Sequence, residues 1–184
     1  AVAISVFGPP STSGTYDAFK ELILGKGCDA NPEMKALKDS DKDKHEATCT
    51  ALRGAPFYVE QGENDNLIIS KLDKNPTSLG IFGFSYLDAN KDKIKAVPVQ
   101  GVSPTYTTIA DGSYPGSRPL FIYIKKKHVG VIPGLADYVA EFLKGSGEGG
   151  YLAAKGLIVS PKDIAATAAA NAKGMTALNG AELK

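Results

Sequence analysis

The chain has 184 residues and a mass of 19.3 kDa, a length at which folding buries roughly 70% of the unfolded surface. Hydrophobic residues at 43% and charged residues at 22% exclude wholesale disorder. Twenty-one basic against twenty acidic side chains leave a net charge of +1, which excludes the basic excess of a nucleic-acid binder. No apolar run approaches the roughly 18 residues of a membrane helix, so no direct membrane insertion is expected. Two histidines and two cysteines leave no spare candidates for a four-ligand zinc site, and their spacing is wrong for one, so no metal is expected.

The chain opens on a strand pattern, residues 1–7, broken by Gly8-Pro9-Pro10. Starting at Ala1 with no signal peptide, it reads as a processed or excised piece of something longer. Ser11-Thr12-Ser13-Gly14-Thr15 then leads into a helix over 15–25, with Ala18, Phe19, Leu22 and Ile23 at helical spacing. The charged stretch 33–53 predicts one or two surface helices with Met34, Leu37, Ala47 and Leu52 turned inward, and Phe57–Val59 a short strand. Residues 63–74 predict a helix with Leu67, Ile68 and Leu72 on one side, stopped by Asn75-Pro76. Strands are predicted at Leu79–Phe84, Ile94–Val99 and Pro119–Ile124, the last the most β-like run in the chain. Helices follow at 133–144, 149–155 and 161–178. Alternating strands and helices without a repeat give the α/β class, with the helical C-terminal third set apart as a second lobe joined through 117–125.

The strongest local signal is the turn from Gly8 to Thr15. A Ser-, Thr- and Gly-rich loop at a helix start offers unpaired N–H groups, hydroxyl donors and the positive end of the helix dipole, the requirements for holding an oxyanion. An ordinary N-cap accounts for the same residues. Other patterns carry less. Gly145–Gly150 fits GxGxxG but follows a helix rather than a strand, so a loop is expected there. Asp39–Asp43 begins like a calcium loop, yet Lys44 and Thr50 stand at its two most demanding positions. Lys125–His128 reads as a charged strand exit, and Gln61–Asn66 as a polar helix entry. No base accompanies a nucleophilic serine, so neither catalysis nor a cofactor is expected. A phosphatase or phosphotransferase would need a metal cluster or base beside the anion. A structural or adhesion role would instead predict a large exposed apolar patch. Cys28 and Cys49, 21 positions apart, read either as one disulfide or as two inert thiols.

Taken together, Ile4–Phe19, Asn75–Tyr86, Tyr114–Lys125 and Gly149–Val159 resemble, in order, segments of the periplasmic phosphate-binding proteins of phosphate ABC transporters. The resemblance implies a type II periplasmic-binding-protein fold, with residues 1–118 forming the second lobe and 119–184 the return strand and C-terminal helices of the first. It implies phosphate held by Ser13, Gly14 and Thr15, with Ser11, Asn64 and Arg118 as further cleft candidates. It also implies periplasmic location after signal-peptide removal, a monomer when intact, and a membrane permease as partner. Sulfate binding, or a phosphate sensor or scavenger uncoupled from transport, is the alternative. Two departures stand out. Pro9 occupies the position where many members carry an arginine that pairs with the phosphate, and nothing matches the family's N-terminal segment, so the chain is expected to hold about half of the cleft. An oxidising periplasm favours the Cys28–Cys49 disulfide.

Overall fold

The computed structural model describes residues 3–179, so the predicted strand start at Ala1 and Val2 lies outside the described residues. Three short parallel strands form the sheet: β1 (Val6–Gly8), β2 (Tyr58–Glu60) and β3 (Leu79–Gly80), in the order β2-β1-β3. β1 is central. Val6 stands opposite Tyr58 on one side and Leu79 on the other. The ladder continues past the strand ends, with Val6 N–H donating to Phe57 O, Gln61 N–H to Gly8 O, Leu79 N–H to Ser5 O and Ile81 N–H to Phe7 O, at 2.7–3.0 Å.

Four of the early helices begin on a side-chain cap. Ser13 precedes α1 (Gly14–Phe19), Asn31 precedes α3 (Pro32–Ser40), Asp41 precedes α4 (Lys42–Cys49) and Asn64 precedes α5 (Asp65–Lys74). All four accept a backbone N–H two or three residues ahead, satisfying one of the donors a helix start leaves unpaired. α1 runs on through a six-residue π-helical segment, Lys20–Gly25, into the single turn α2 (Lys26–Cys28). A disulfide joins Cys28 to Cys49 across 5.6 Å between Cα atoms, tying the end of α2 to the end of α4. Closing a loop of this length contributes on the order of 3 kcal/mol in the chain-entropy account.

α5 packs across β1 and β3 and buries Ile68 and Ile69. Full burial of such a side chain contributes roughly 1.5–3 kcal/mol. Leu72 and Ile68 lie so close over Gly80 that a Cβ there would meet Leu72 Cδ1 at 2.6 Å. Leu67, expected on the same side, is instead 51% exposed, because Ile69 takes the inward position. Ala47 is likewise exposed, whereas Met34, Leu37 and Leu52 are half-buried.

Several predicted strands do not form. After Gly80 the chain turns at Gly83 into α6 (Phe84–Ala89), so the run 79–84 pairs over two residues only, matching the short central strand. Ile94–Val99 forms no strand. Its one bridge, Val99 to Val102, closes a tight turn in which Gln100 and Gly101 both have positive φ (51° and 80°), as a two-residue hairpin requires. Pro119–Ile124 has no strand partner among the described residues. Leu120, Phe121 and Tyr123 are 74%, 67% and 68% exposed, so β propensity without a neighbouring strand leaves irregular chain. α7 (Tyr106–Ala110), opened by a Thr105/Thr108 capping box, was not anticipated. α8 (Leu135–Ser146) and α9 (Lys162–Gly174) follow, while 149–155 yields only a 3-10 turn at Ala153–Lys155. Gly145 and Ser146 of the GxGxxG run lie inside α8, and Gly145 packs under the Tyr151 ring.

Two predictions test this frame. The Tyr58 hydroxyl donates to the Pro9 carbonyl at 2.7 Å in the buried heart of the sheet. Tyr58→Phe orphans that carbonyl, and urea denaturation is expected to show a loss of about 1–3 kcal/mol with an unchanged m-value. Burial raises the Asp65 carboxyl above its ordinary value, Glu63 adding to the shift and the hydrogen bond from Gly83 N–H opposing it. The folded state therefore holds this proton more tightly than the unfolded chain. The contribution of Asp65 is most favourable below the unfolded carboxylate range and is lost as pH rises through the raised folded value. Asp65→Asn keeps an acceptor for Gly83 and removes the titration. Its urea midpoint relative to wild type should rise as pH climbs above the ordinary aspartate value of about 4. Parallel profiles of midpoint against pH would contradict the assignment.

Candidate functional site

Because all three strands run the same way, the loops leaving their carboxyl ends gather at one edge of the sheet. The loop after β1 opens α1, the loop after β2 opens α5, and the loop after β3 opens α6. The strand order 2-1-3 also means that the connection out of β1 goes to one side of it, while the chain from β2 crosses to the other. That reversal makes the carboxyl end of β1 a topological switch point, where open parallel sheets leave a crevice for ligands.

The loop from Pro9 to Thr15 occupies this position. Pro9 is fully buried and its carbonyl is held by Tyr58. A Cβ at Gly8 would collide with the Tyr58 ring, so glycine there permits the hydroxyl to reach the loop. Burial, with Tyr16 and Glu60 nearby, pushes the Tyr58 phenol up to about 12, so it remains a donor throughout the physiological range. The Tyr16 ring meets Tyr58 edge-on at 5.9 Å, fixing the first turn of α1 against the sheet.

Within the loop, Ser13 N–H donates to Pro10 O at 2.9 Å and Ser13 Oγ accepts from Thr15 N–H at 3.2 Å. Ser13 is buried, Gly14 exposed and Thr15 half-buried. The Ser13 oxygen thus serves as a cap, and its hydroxyl hydrogen remains to be donated. Ser11 is exposed at the outer edge of the loop. Thr12 Oγ1 donates to Glu63 Oε1 at 3.0 Å, linking this loop to the one after β2. Arg118 Nη2 donates to the Gly14 carbonyl at 3.0 Å across 104 residues of sequence. Of the six residues singled out from the sequence, the structure therefore brings Ser13, Gly14, Thr15 and Arg118 together. Asn64 caps its own helix, with Oδ1 accepting from Asn66 N–H. Sequence reasoning missed Tyr58, which holds the loop from below; Glu63, in the polar helix entry Gln61–Asn66, holds it from the side. Tyr58 lay within a predicted strand, and its pairing with Pro9 has no local signature.

A second cluster brings both cysteines together with His45. Cys28, Cys49 and His45 lie with both sulfurs and a ring nitrogen within 4.8 Å of one another. His45 and Cys49 are four residues apart on one face of α4, a signal present in the sequence, and the disulfide brings Cys28 to them. His45 is 5% exposed, and its Nε2 lies 2.8 Å from Asp29 Oδ1. Lys38 Nζ lies 2.5 Å from the other oxygen of the same carboxylate, and that hydrogen bond, with His45, holds the Asp29 carboxyl below the usual range.

Comparison with known proteins gives a consistent picture. The PBP superfamily domain (PBP_like_2) matches residues 1–146. The Phosphate-binding protein PstS of Staphylococcus haemolyticus is 33% identical over 146 residues, covering 77% of this chain and 36% of that protein. The Phosphate-binding protein PstS of Staphylococcus epidermidis is 31% identical over 164 residues, covering 86% of this chain and 41% of that protein. The chain thus spans about two fifths of the length of these relatives. The crystal structure of a possible phosphate binding protein from Planctomyces limnophilus aligns with a TM-score of 0.59 and 26% identity, over 95% of this chain and 54% of that one. With its parallel α/β sheet and a family match over four fifths of its residues, the chain belongs to the periplasmic-binding-protein (PBP) superfamily.

Proposed function

We propose that the loop Ser11–Thr15 binds inorganic phosphate without chemical change, in a protein that captures it outside the cytoplasm and delivers it to the permease of an ABC importer. The observation that carries this reading is the juxtaposition of the hydroxyl-rich start of α1, at the switch point of the sheet, with the guanidinium of Arg118. Ser13 and Thr15 supply hydroxyl donors, and the first-turn N–H groups of α1 supply backbone donors at the positive end of the helix. Gly14 leaves the loop open to close approach. Arg118 supplies the cation that Pro9 withholds. Fixed by one N–H to the Gly14 carbonyl, its guanidinium retains other donors for an oxyanion. Ser11, at the outer edge of the loop, is the remaining candidate ligand.

In this reading residues 1–118 form one lobe and residues 119–184 belong to the other, with a second set of ligands facing the loop when the cleft is complete. The exposed run Pro119–Ile124 fits that role as the return strand, which pairs only within the other lobe's sheet. The intact protein acts as a monomer.

The test is a titration of the full 184-residue chain with phosphate, followed by backbone amide NMR. Phosphate should shift the Ser13, Gly14 and Thr15 amides in a saturable one-site manner. Charge-assisted bonds of about 1.5–3 kcal/mol each imply that Arg118→Gln weakens this binding roughly 10- to 100-fold. Ser13→Ala should weaken it by about a factor of ten while leaving the far-UV spectrum unchanged. Sulfate shifts equal to or larger than those of phosphate would favour a general oxyanion site. Shifts scattered over the lysine-rich surface, with Gly14 unmoved, would refute the assignment.

A further inference from the structure

The disulfide of this chain sits in a setting that an inert crosslink does not require. Two sulfurs and a ring nitrogen of a buried histidine converge within 4.8 Å. Thiolates at about 2.3 Å and imidazole at about 2.0–2.1 Å around a tetrahedral zinc ion stand roughly 3.5–3.8 Å from one another, so His45 already lies near coordination distance of the two sulfurs, which need only separate once their covalent bond is broken. His45 and Cys49 project from successive turns of α4, the i,i+4 placement that lets one helix contribute two ligands. His45 also carries the outer contact of a zinc-bound histidine. Its Nε2 is engaged by Asp29 Oδ1 at 2.8 Å, so the site calls on the other ring nitrogen, Nδ1, as the ligand atom. Asp29 is itself anchored by Lys38, so the ring is oriented by a fixed carboxylate.

We propose that Cys28, Cys49 and His45 form a redox-gated zinc site, closed while the disulfide is intact and opened by a dithiol reductant. One thiolate of the reductant attacks a sulfur of the Cys28–Cys49 bond and forms a mixed disulfide, releasing the other cysteine. The second thiol of the reductant resolves it. The reductant leaves as a disulfide, having given up two electrons and two protons, and Cys28 and Cys49 are left as thiols. Zn2+ then binds both sulfurs and His45, and the two thiol protons pass to solvent. Water completes the tetrahedron. The ion takes over the mechanical task of the covalent bond by holding the end of α2 against the end of α4. Asp29 is a positioning residue in this site, since it reaches the metal only through the imidazole. The assignment is independent of the phosphate loop.

Cobalt(II) is the probe, added anaerobically to the full chain after reduction with a phosphine, with far-UV circular dichroism recorded in parallel. The reduced chain is expected to bind one equivalent, with a thiolate-to-cobalt charge-transfer band and the intense visible bands of tetrahedral cobalt, both removed by one equivalent of Zn2+. The oxidised chain should give neither. Zinc should raise the thermal midpoint of the reduced chain and leave that of the oxidised chain unchanged. His45→Ala should weaken cobalt binding at least tenfold and shift the visible bands. Asp29→Asn should weaken it 10- to 100-fold while keeping the band positions, which a purely structural role would not produce. No stoichiometric thiolate band, whether the reduced chain stays folded or unfolds, overturns the proposal. So does an affinity indifferent to His45.

Discussion

Everything in this molecule hangs on the pairing of one three-residue strand with neighbours on both sides. Val6–Gly8 supplies hydrogen bonds to Tyr58–Glu60 along one edge and to Leu79–Gly80 along the other. Each flanking strand contributes only two or three residues, and α5 is the helix that buries most against them, with Ile68 and Ile69. So short a ladder cannot hold its register by length. Packing fixes it: Tyr58 fits only against a glycine at position 8, and Leu72 and Ile68 fit only against a glycine at position 80. Strand and loop are set by the same contacts. The hydroxyl that locks the sheet also holds Pro9, four residues before the helix cap.

Local chemistry was legible in the sequence where the cause is local. Ser13 and Asn64, at helix entries marked in the sequence, cap α1 and α5 because a short side chain can reach an N–H two residues ahead. Asn31 and Asp41 do the same for α3 and α4, reaching two and three residues ahead, although neither was singled out from the sequence as a cap. Strands were legible only where a partner exists. Val6–Gly8 and Tyr58–Glu60 pair, whereas Pro119–Ile124, the most β-like run in the chain, has no strand partner among the described residues. The pairing of Arg118 with Gly14, and of Cys28 with His45, depends on chain reversal over many residues, which the local sequence does not record.

The depression beside the candidate loop is lined by Tyr16, Lys20, Glu46 and Thr50 and does not include Ser13–Thr15. Glu63 and Asp17 add negative charge nearby, bound to Thr12 and set in the first turn of α1 respectively. An anion approaching the loop thus meets carboxylates as well as donors. Net attraction rests on the directed N–H and O–H groups and on Arg118 rather than on a broad positive field, an arrangement that favours selectivity of geometry over long-range capture.

The π-helical segment Lys20–Gly25 has a consequence for how the chain tolerates change in length. An α-helix turns about 100° per residue, and a wider turn accommodates extra residues without breaking the helix. The phase of everything after Gly25 therefore depends on the number of residues taken up between Lys20 and Gly25. Losing one of them would let an ordinary α-helix form, with more regular hydrogen bonding, yet would swing Cys28 about a quarter-turn or more away from α4. A helix made more regular in this way would disconnect the two halves of the crosslink. Here irregularity acts as a phase adjuster, and the segment that looks least ideal sets the direction of the one covalent tie in the fold.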